Sequence, residues 1–103
     1  MITRIWHGWT TPDNAQLYEE LLRTEVLTGI AARNIDGYRG VRLLRREADH
    51  EVAFITIMGF DSLDAVRTFA GDDYETAVVP AKARALLSRF DATSQHYETV
   101  LEL

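Results

Sequence analysis

The chain has 103 residues, 47% of them apolar, with a net charge of −5 and a pI near 5.1, which is enough for one domain with an ordinary core. The acidic balance argues against a nucleic-acid binder, because such a protein needs a positive surface to displace counterions. The absence of cysteine excludes disulfides, thiolate metal sites, iron–sulfur clusters and a cysteine nucleophile.

The first element is strand-like, from Ile2 to Trp9. Alternation puts Ile2, Arg4, Trp6 and Gly8 on one face and Thr3, Ile5, His7 and Trp9 on the other. Both faces carry aromatic surface, whereas a sheet wet on one side alternates more cleanly. Thr11 suits a helix N-cap, Pro12 the first helical position and Asp13 the positive end of the helix dipole. Leu17, Leu21, Leu22, Val26 and Ile30 then recur at helical spacing and predict a stripe laid on the sheet. Asp36-Gly37 ends this stretch in a turn that glycine makes easily.

Two β-rich runs follow, Tyr38 to Glu47 and Glu51 to Phe60, joined across Ala48-Asp49-His50. The arginines Arg42, Arg45 and Arg46 read as a solvated strand end or as cross-strand partners of Glu47 and Glu51. Val52 to Met58 is almost continuously apolar and rich in β-branched residues, the pattern of a strand buried on both faces. Asp61 or Ser62 caps a second helix with Leu63, Val66 and Phe69 inward, and Gly71 ends it. Asp72-Asp73-Tyr74 is expected to open another helical turn, and Pro80 a short helix with Ala83, Leu86 and Leu87 inward. A last strand is expected from Phe90 to Leu101, with His96 and Glu98 on one side and Tyr97 on the other.

The order β-α-β-β-α-β is the split βαβ plan of an α+β, ferredoxin-like fold: an antiparallel sheet with helices on one face only. The opposite face then needs a cover, and a second copy of the chain supplies one. A homodimer is therefore expected. Nothing resembles a signal peptide, and no apolar run approaches the roughly 18 residues of a membrane span. A cytoplasmic protein with no membrane or nucleic-acid partner is the expectation.

The whole pattern resembles the antibiotic biosynthesis monooxygenase family of the dimeric α+β barrel superfamily, with residues 1–103 as a single domain. The resemblance rests on the opening strand with Thr11-Pro12, the turn Ile35-Asp36-Gly37-Tyr38-Arg39-Gly40 and the run Phe54-Ile55-Thr56-Ile57-Met58. Asp61-Ser62-Leu63-Asp64-Ala65 before Phe69, and the closing His96-Tyr97-Glu98, complete it. It implies two sheets packed face to face in a homodimer and a pocket in each subunit between sheet and helices. Some members oxidise polycyclic aromatic phenols with dioxygen and neither metal nor flavin; others cleave heme, and many have no known activity. The heme-degrading branch has an asparagine in the first strand, a tryptophan late in the second helical region and an axial histidine soon after. This chain has no asparagine in that strand, Val66 and Phe69 where the tryptophan would lie, and Val78 at the histidine position. No tightly bound heme, flavin or metal is expected.

Among its three histidines, His50 falls in the hairpin loop, while His96 and His7 lie on strands that this topology makes neighbours. A histidine titrates near neutrality, so either can take a phenolic proton. The phenolate is then electron-rich enough to donate to dioxygen. His96 and His7 are the candidate bases, and Trp6, Phe54, Phe69 and Tyr74 the candidate walls of a slot for a small aromatic molecule. Arg84 is a candidate anchor for an anionic group. The same residues also fit a packed core and dimer face. Two functions stay open: a cofactor-independent monooxygenase acting on an aromatic or quinol-type molecule, and a non-catalytic ligand-binding or interaction dimer. No nucleotide loop, serine elbow or metal-ligand spacing is present.

Overall fold

In the computed structural model, which describes Met1–Leu103, strand β1 (Ile2–Thr10) is central to one antiparallel sheet. Its neighbours are β3 (Val52–Phe60) on one side and β4 (Leu87–Phe90) and β5 (Gln95–Glu98) on the other. Strand β2 (Tyr38–Glu47) pairs with β3 and forms the far edge. The sheet order β2-β3-β1-β4, with β5 continuing beside β1, is the ferredoxin-like arrangement expected from the element order.

Helices cover one face. Thr11 caps α1 (Pro12–Leu21) by accepting from the Asn14 N–H, as its position before Pro12 predicts. The helix continues through a π-helical segment, Leu22–Val26, into α2 (Leu27–Ala32). Ser62, rather than Asp61, caps α3 (Leu63–Ala70) by accepting from the Ala65 N–H. A short helix α4 (Ala81–Leu86) follows Pro80. None of the helices is long and apolar enough to cross a membrane.

Two buried clusters lie between helices and sheet. One joins Ala15, Tyr18, Leu21 and Leu22 of the first helix to Val52 and Phe54. The other joins Met58 and Phe60 to Ala65, Val66 and Phe69. Phe60 is the centre of the second, wholly buried, with Tyr38 edge-on at 5.7 Å and Phe69 tilted at 5.6 Å. Gly37 joins them to the hairpin at a φ of +84°, and a Cβ there would meet that of Ala65 at 2.8 Å. The glycine thus allows both the turn and the close seat of α3.

Several expectations are corrected. Leu63 is exposed, and Ala65 takes the inward position beside Val66 and Phe69. Leu87 belongs to β4 rather than to the short helix. Leu17 is 59% exposed, and Ala15 and Tyr18 take the inward positions. Leu17 lies one position off the buried line of Ala15, Tyr18 and Leu22, whose spacing of three and then four residues sets the inward face of the helix. Asp72-Asp73-Tyr74 forms no helix; the segment after it bridges Thr76 to Thr93. The last strand is broken into β4 and β5. Between them Asp91 N–H still donates to His7 C=O of β1, but residues 92–94 leave it, and their backbone bonds residues 75–77 instead, through Ala77 N–H to Ala92 C=O and Ser94 N–H to Glu75 C=O.

Candidate functional site

Pairing register sorts the side chains of β1 between the two faces. Arg4, Trp6 and Gly8 point toward the helices, and Ile5, His7 and Trp9 away from them. On the helix side a cavity of about 230 Å³ opens between the sheet and the first helix. Leu22, Val26 and Ile30 form its helical wall, Trp6, Thr56 and Met58 its sheet wall, and Val78 and Val79 part of its rim. The π segment contributes Leu22 and Val26 to that wall. Such segments are rare and concentrate at functional sites, because the extra residue per turn spoils close packing.

Arg4 lies in the wall and is only 5% exposed. One terminal nitrogen of its guanidinium donates to the Tyr74 carbonyl at 2.7 Å and to His96 Nε2 at 2.9 Å. Its plane lies near the Phe69 ring, 5.3 Å from the centroid. None of the ion pairs of the chain includes it. Burial pulls its pKa down to about 10, which leaves it charged at neutral pH. Burying a cation without a carboxylate partner is costly, and natural proteins rarely do so.

Because arginine only donates, His96 Nε2 must be the acceptor, and the proton of the neutral ring sits on Nδ1. Partial burial and the Arg4 charge both lower the His96 pKa, against a smaller opposing pull from Glu75. The unfolded chain therefore binds more protons than the folded one as pH falls through the ordinary histidine range near 6.5. The stability that His96 contributes is present above that pH and is lost below it. Denaturation midpoints of the parent should accordingly fall more steeply on acidification through pH 6.5 than those of His96→Gln. Equal slopes would show that His96 is free of Arg4 in solution.

The structure brings some of the candidate residues together and separates others. Trp6 and Phe69 line the cavity, with the Trp6 indole N–H donating to the Asp91 carbonyl at 2.7 Å. Phe54 is sealed in the core against Tyr18, 4.9 Å between centroids. Tyr74 and His96 meet edge to face at 5.0 Å and line a neighbouring opening that shares Ser94 with the cavity. Arg84 lies over Phe90 on the outer side of α4, outside the cavity lining. His7 faces the uncovered side of the sheet, stacked on Trp9 with Nδ1 3.5 Å from Asp91. His7 and His96 therefore do not pair: their strands are neighbours, but their side chains leave opposite faces.

Sequence reasoning missed Arg4, Arg33, Tyr18 and Ser94 as cavity residues. A signal for Arg4 was available. It shares its face with Ile2, Trp6 and Gly8, and an arginine among such residues in a central strand is a buried cation in waiting.

An antiparallel sheet with helices on one face and a ligand-sized cavity between the layers defines a ferredoxin-like α+β fold with an interior site. No protein-family model and no curated protein sequence matches the chain. Solved structures do. MhuD, a heme-degrader of Mycobacterium tuberculosis with two hemes bound in its active site, is 19% identical, with a TM-score of 0.60 over 100% of this chain and 99% of that one. Rv0793 of the same organism is 20% identical, with a TM-score of 0.63 over 98% of this chain and 96% of that one. A mutant of MhuD with two manganese protoporphyrin IX bound per active site is 21% identical, with a TM-score of 0.62 over 100% and 98%. At these identities the likeness shows the shared fold.

Proposed function

We propose that the protein is a cytoplasmic homodimer that takes a small phenol or hydroquinone into the cavity and oxidises it with dioxygen, without a cofactor. The observation that carries this reading is the cavity itself: apolar walls, about 230 Å³, and a charged group in the wall with a neutral histidine behind it. That volume lies between the roughly 150 Å³ cavity that accepts benzene and the 300 Å³ at which drug-sized sites begin, which suits one or two rings. His96 is the assigned base. It lies behind Arg4 and lines the neighbouring opening rather than the cavity, so the phenol must reach past Arg4, and Arg4 must release the Nε2 lone pair, before the proton transfers.

The dimer is inferred from the uncovered face. Ile5, Ile55, Ile57 and Trp9 lie there with no helix over them, alongside Leu44, which is 44% exposed. A second sheet packed on this face would bury them.

The porphyrins of the structural relatives find no matching ligands here. No histidine lines the cavity, Val78 stands on its rim, and burial raises the Tyr18 pKa, which keeps that phenol neutral. The residues present do not fit a heme iron.

Oxygen uptake with a naphthohydroquinone as probe tests the reading. Enzyme-dependent uptake should fall by about 10²–10⁴-fold in His96→Ala with the fold intact, the usual worth of a general base. Full activity in that variant would remove His96 from the mechanism. Binding without any uptake by the parent protein would favour the non-catalytic ligand carrier, which the engaged lone pair of His96 also suits.

A further inference from the structure

The side-chain polar groups on the cavity wall include cations but no anion. They are two guanidinium groups, Arg4 and Arg33, and three hydroxyls, Tyr18, Thr56 and Ser94. None is a carboxylate, although the chain carries 16 acidic residues against 11 basic ones. The inner surface thus has the opposite charge balance to the molecule as a whole.

Arg4 has five N–H donors and spends two of them, both on one nitrogen, on Tyr74 and His96. Three remain without a protein partner. The only side-chain polar atom that is both sealed from space and unpartnered is Thr10 Oγ1, so the spare Arg4 donors are not sealed in. A planar fork of spare donors on a buried cation is the geometry that pairs with a delocalised oxyanion. Arg33 stands at the mouth, exposed, bonded to the Thr68 and Phe69 carbonyls, and also lies over the Phe69 ring, 5.4 Å from its centroid. One cation at the entrance and one within make a graded attractive field for an anion, in a cleft where apolar walls weaken screening.

We propose that the cavity selects anions: it takes an aromatic oxyanion, carboxylate or phenolate, whose oxygens pair with the spare N–H groups of Arg4. This rests on the cavity being the ligand site. It does not require that the ligand be oxidised. It also accounts for the missing carboxylate partner of Arg4, since the ligand supplies that charge.

Calorimetric titration of the full chain with 2-naphthoate and with 2-naphthamide, alike in shape but not in charge, tests the carboxylate form. Naphthoate should bind about 10- to 100-fold more tightly, the worth of a charge-assisted hydrogen-bond pair. Arg4→Met should reduce that preference to near unity while naphthamide affinity changes little, and Arg4→Lys should keep part of it. The phenolate form is tested on the parent protein and on Arg4→Met with 4-nitrophenol, whose absorbance separates phenol from phenolate. Burial by itself raises a phenol's pKa, and only a usable cation lowers it. A bound pKa about one unit or more below that in water shows a cation site, and its return toward the aqueous value in Arg4→Met places the phenolate on Arg4 rather than Arg33. Either positive result supports the anion site and identifies which oxyanion it takes. Equal naphthoate and naphthamide affinities together with an unshifted or raised nitrophenol pKa, or failure of all three probes to bind at millimolar concentration, overturns it. Oxygen uptake reports separately: bound anions without uptake leave the anion site standing and remove the oxygenase.

Discussion

Ile5→Asp should turn the proposed dimer into a monomer. Ile5 sits on the central strand, on the uncovered face, with Ile57 beside it on β3 and Gln95 on β5. Neither cross-strand neighbour is cationic, so an aspartate there has no partner beside it when a second sheet closes over it. Leaving a charge buried and unpaired costs about 3–5 kcal/mol, which weakens association more than a hundredfold. In a two-fold dimer the substitution also appears twice. Light scattering at micromolar concentration should show the mutant at the 11.7 kDa of one chain and the parent at twice that mass. A parent that already scatters as a single chain refutes the dimer.

Phe60→Ala should cost about 3–5 kcal/mol of folding stability, a large part of the roughly 5–15 kcal/mol a domain possesses. Phe60 is wholly buried, sits at the end of β3, and ties α3 to the sheet through Phe69 and to β2 through Tyr38. Its removal leaves a void bounded by two rings and by backbone that cannot close in. Denaturant unfolding should show the midpoint falling with an unchanged slope. A loss below about 1 kcal/mol would mean that this corner of the core repacks freely.

The fold was legible because its signals are local and repeated. Thr11-Pro12, Asp36-Gly37 and Pro80 each punctuate the chain by a mechanism that acts within a few residues. The run from Val52 to Met58 reads as a strand rather than a buried helix because it is short and rich in β-branched residues. What failed depended on distant partners. The break in the last strand arises because residues 75–77 compete with β1 for the backbone of residues 92–94, and nothing near them in the sequence announces that competition.

The candidate site was legible only in part, for a related reason. Trp6 and Phe69 were found by aromatic character, and both line the cavity. Phe54 has the same character but was matched by Tyr18 across the layer, which filled its space. His7 and His96 were joined by strand adjacency, yet parity along each strand decides the face, and the break between β4 and β5 must be known before parity can be counted. Arg4 was overlooked because charge suggests solvent. Its significance comes from the carboxylate that is missing, and a missing partner is visible only once neighbours are known.

Both edges of the sheet are poor templates for another strand. At one end β2 carries Arg42 and, after two leucines, Arg45, Arg46 and Glu47. At the other, β4 and β5 have four residues each and are separated where residues 92–94 leave β1. Further chains therefore cannot be added edge to edge, the route by which sheets grow into open-ended fibrils. Only the flat face remains for self-association, and a face used once by each of two partners is used up. In the proposed dimer, growth then stops at a pair: the broken last strand closes the assembly that the uncovered face begins.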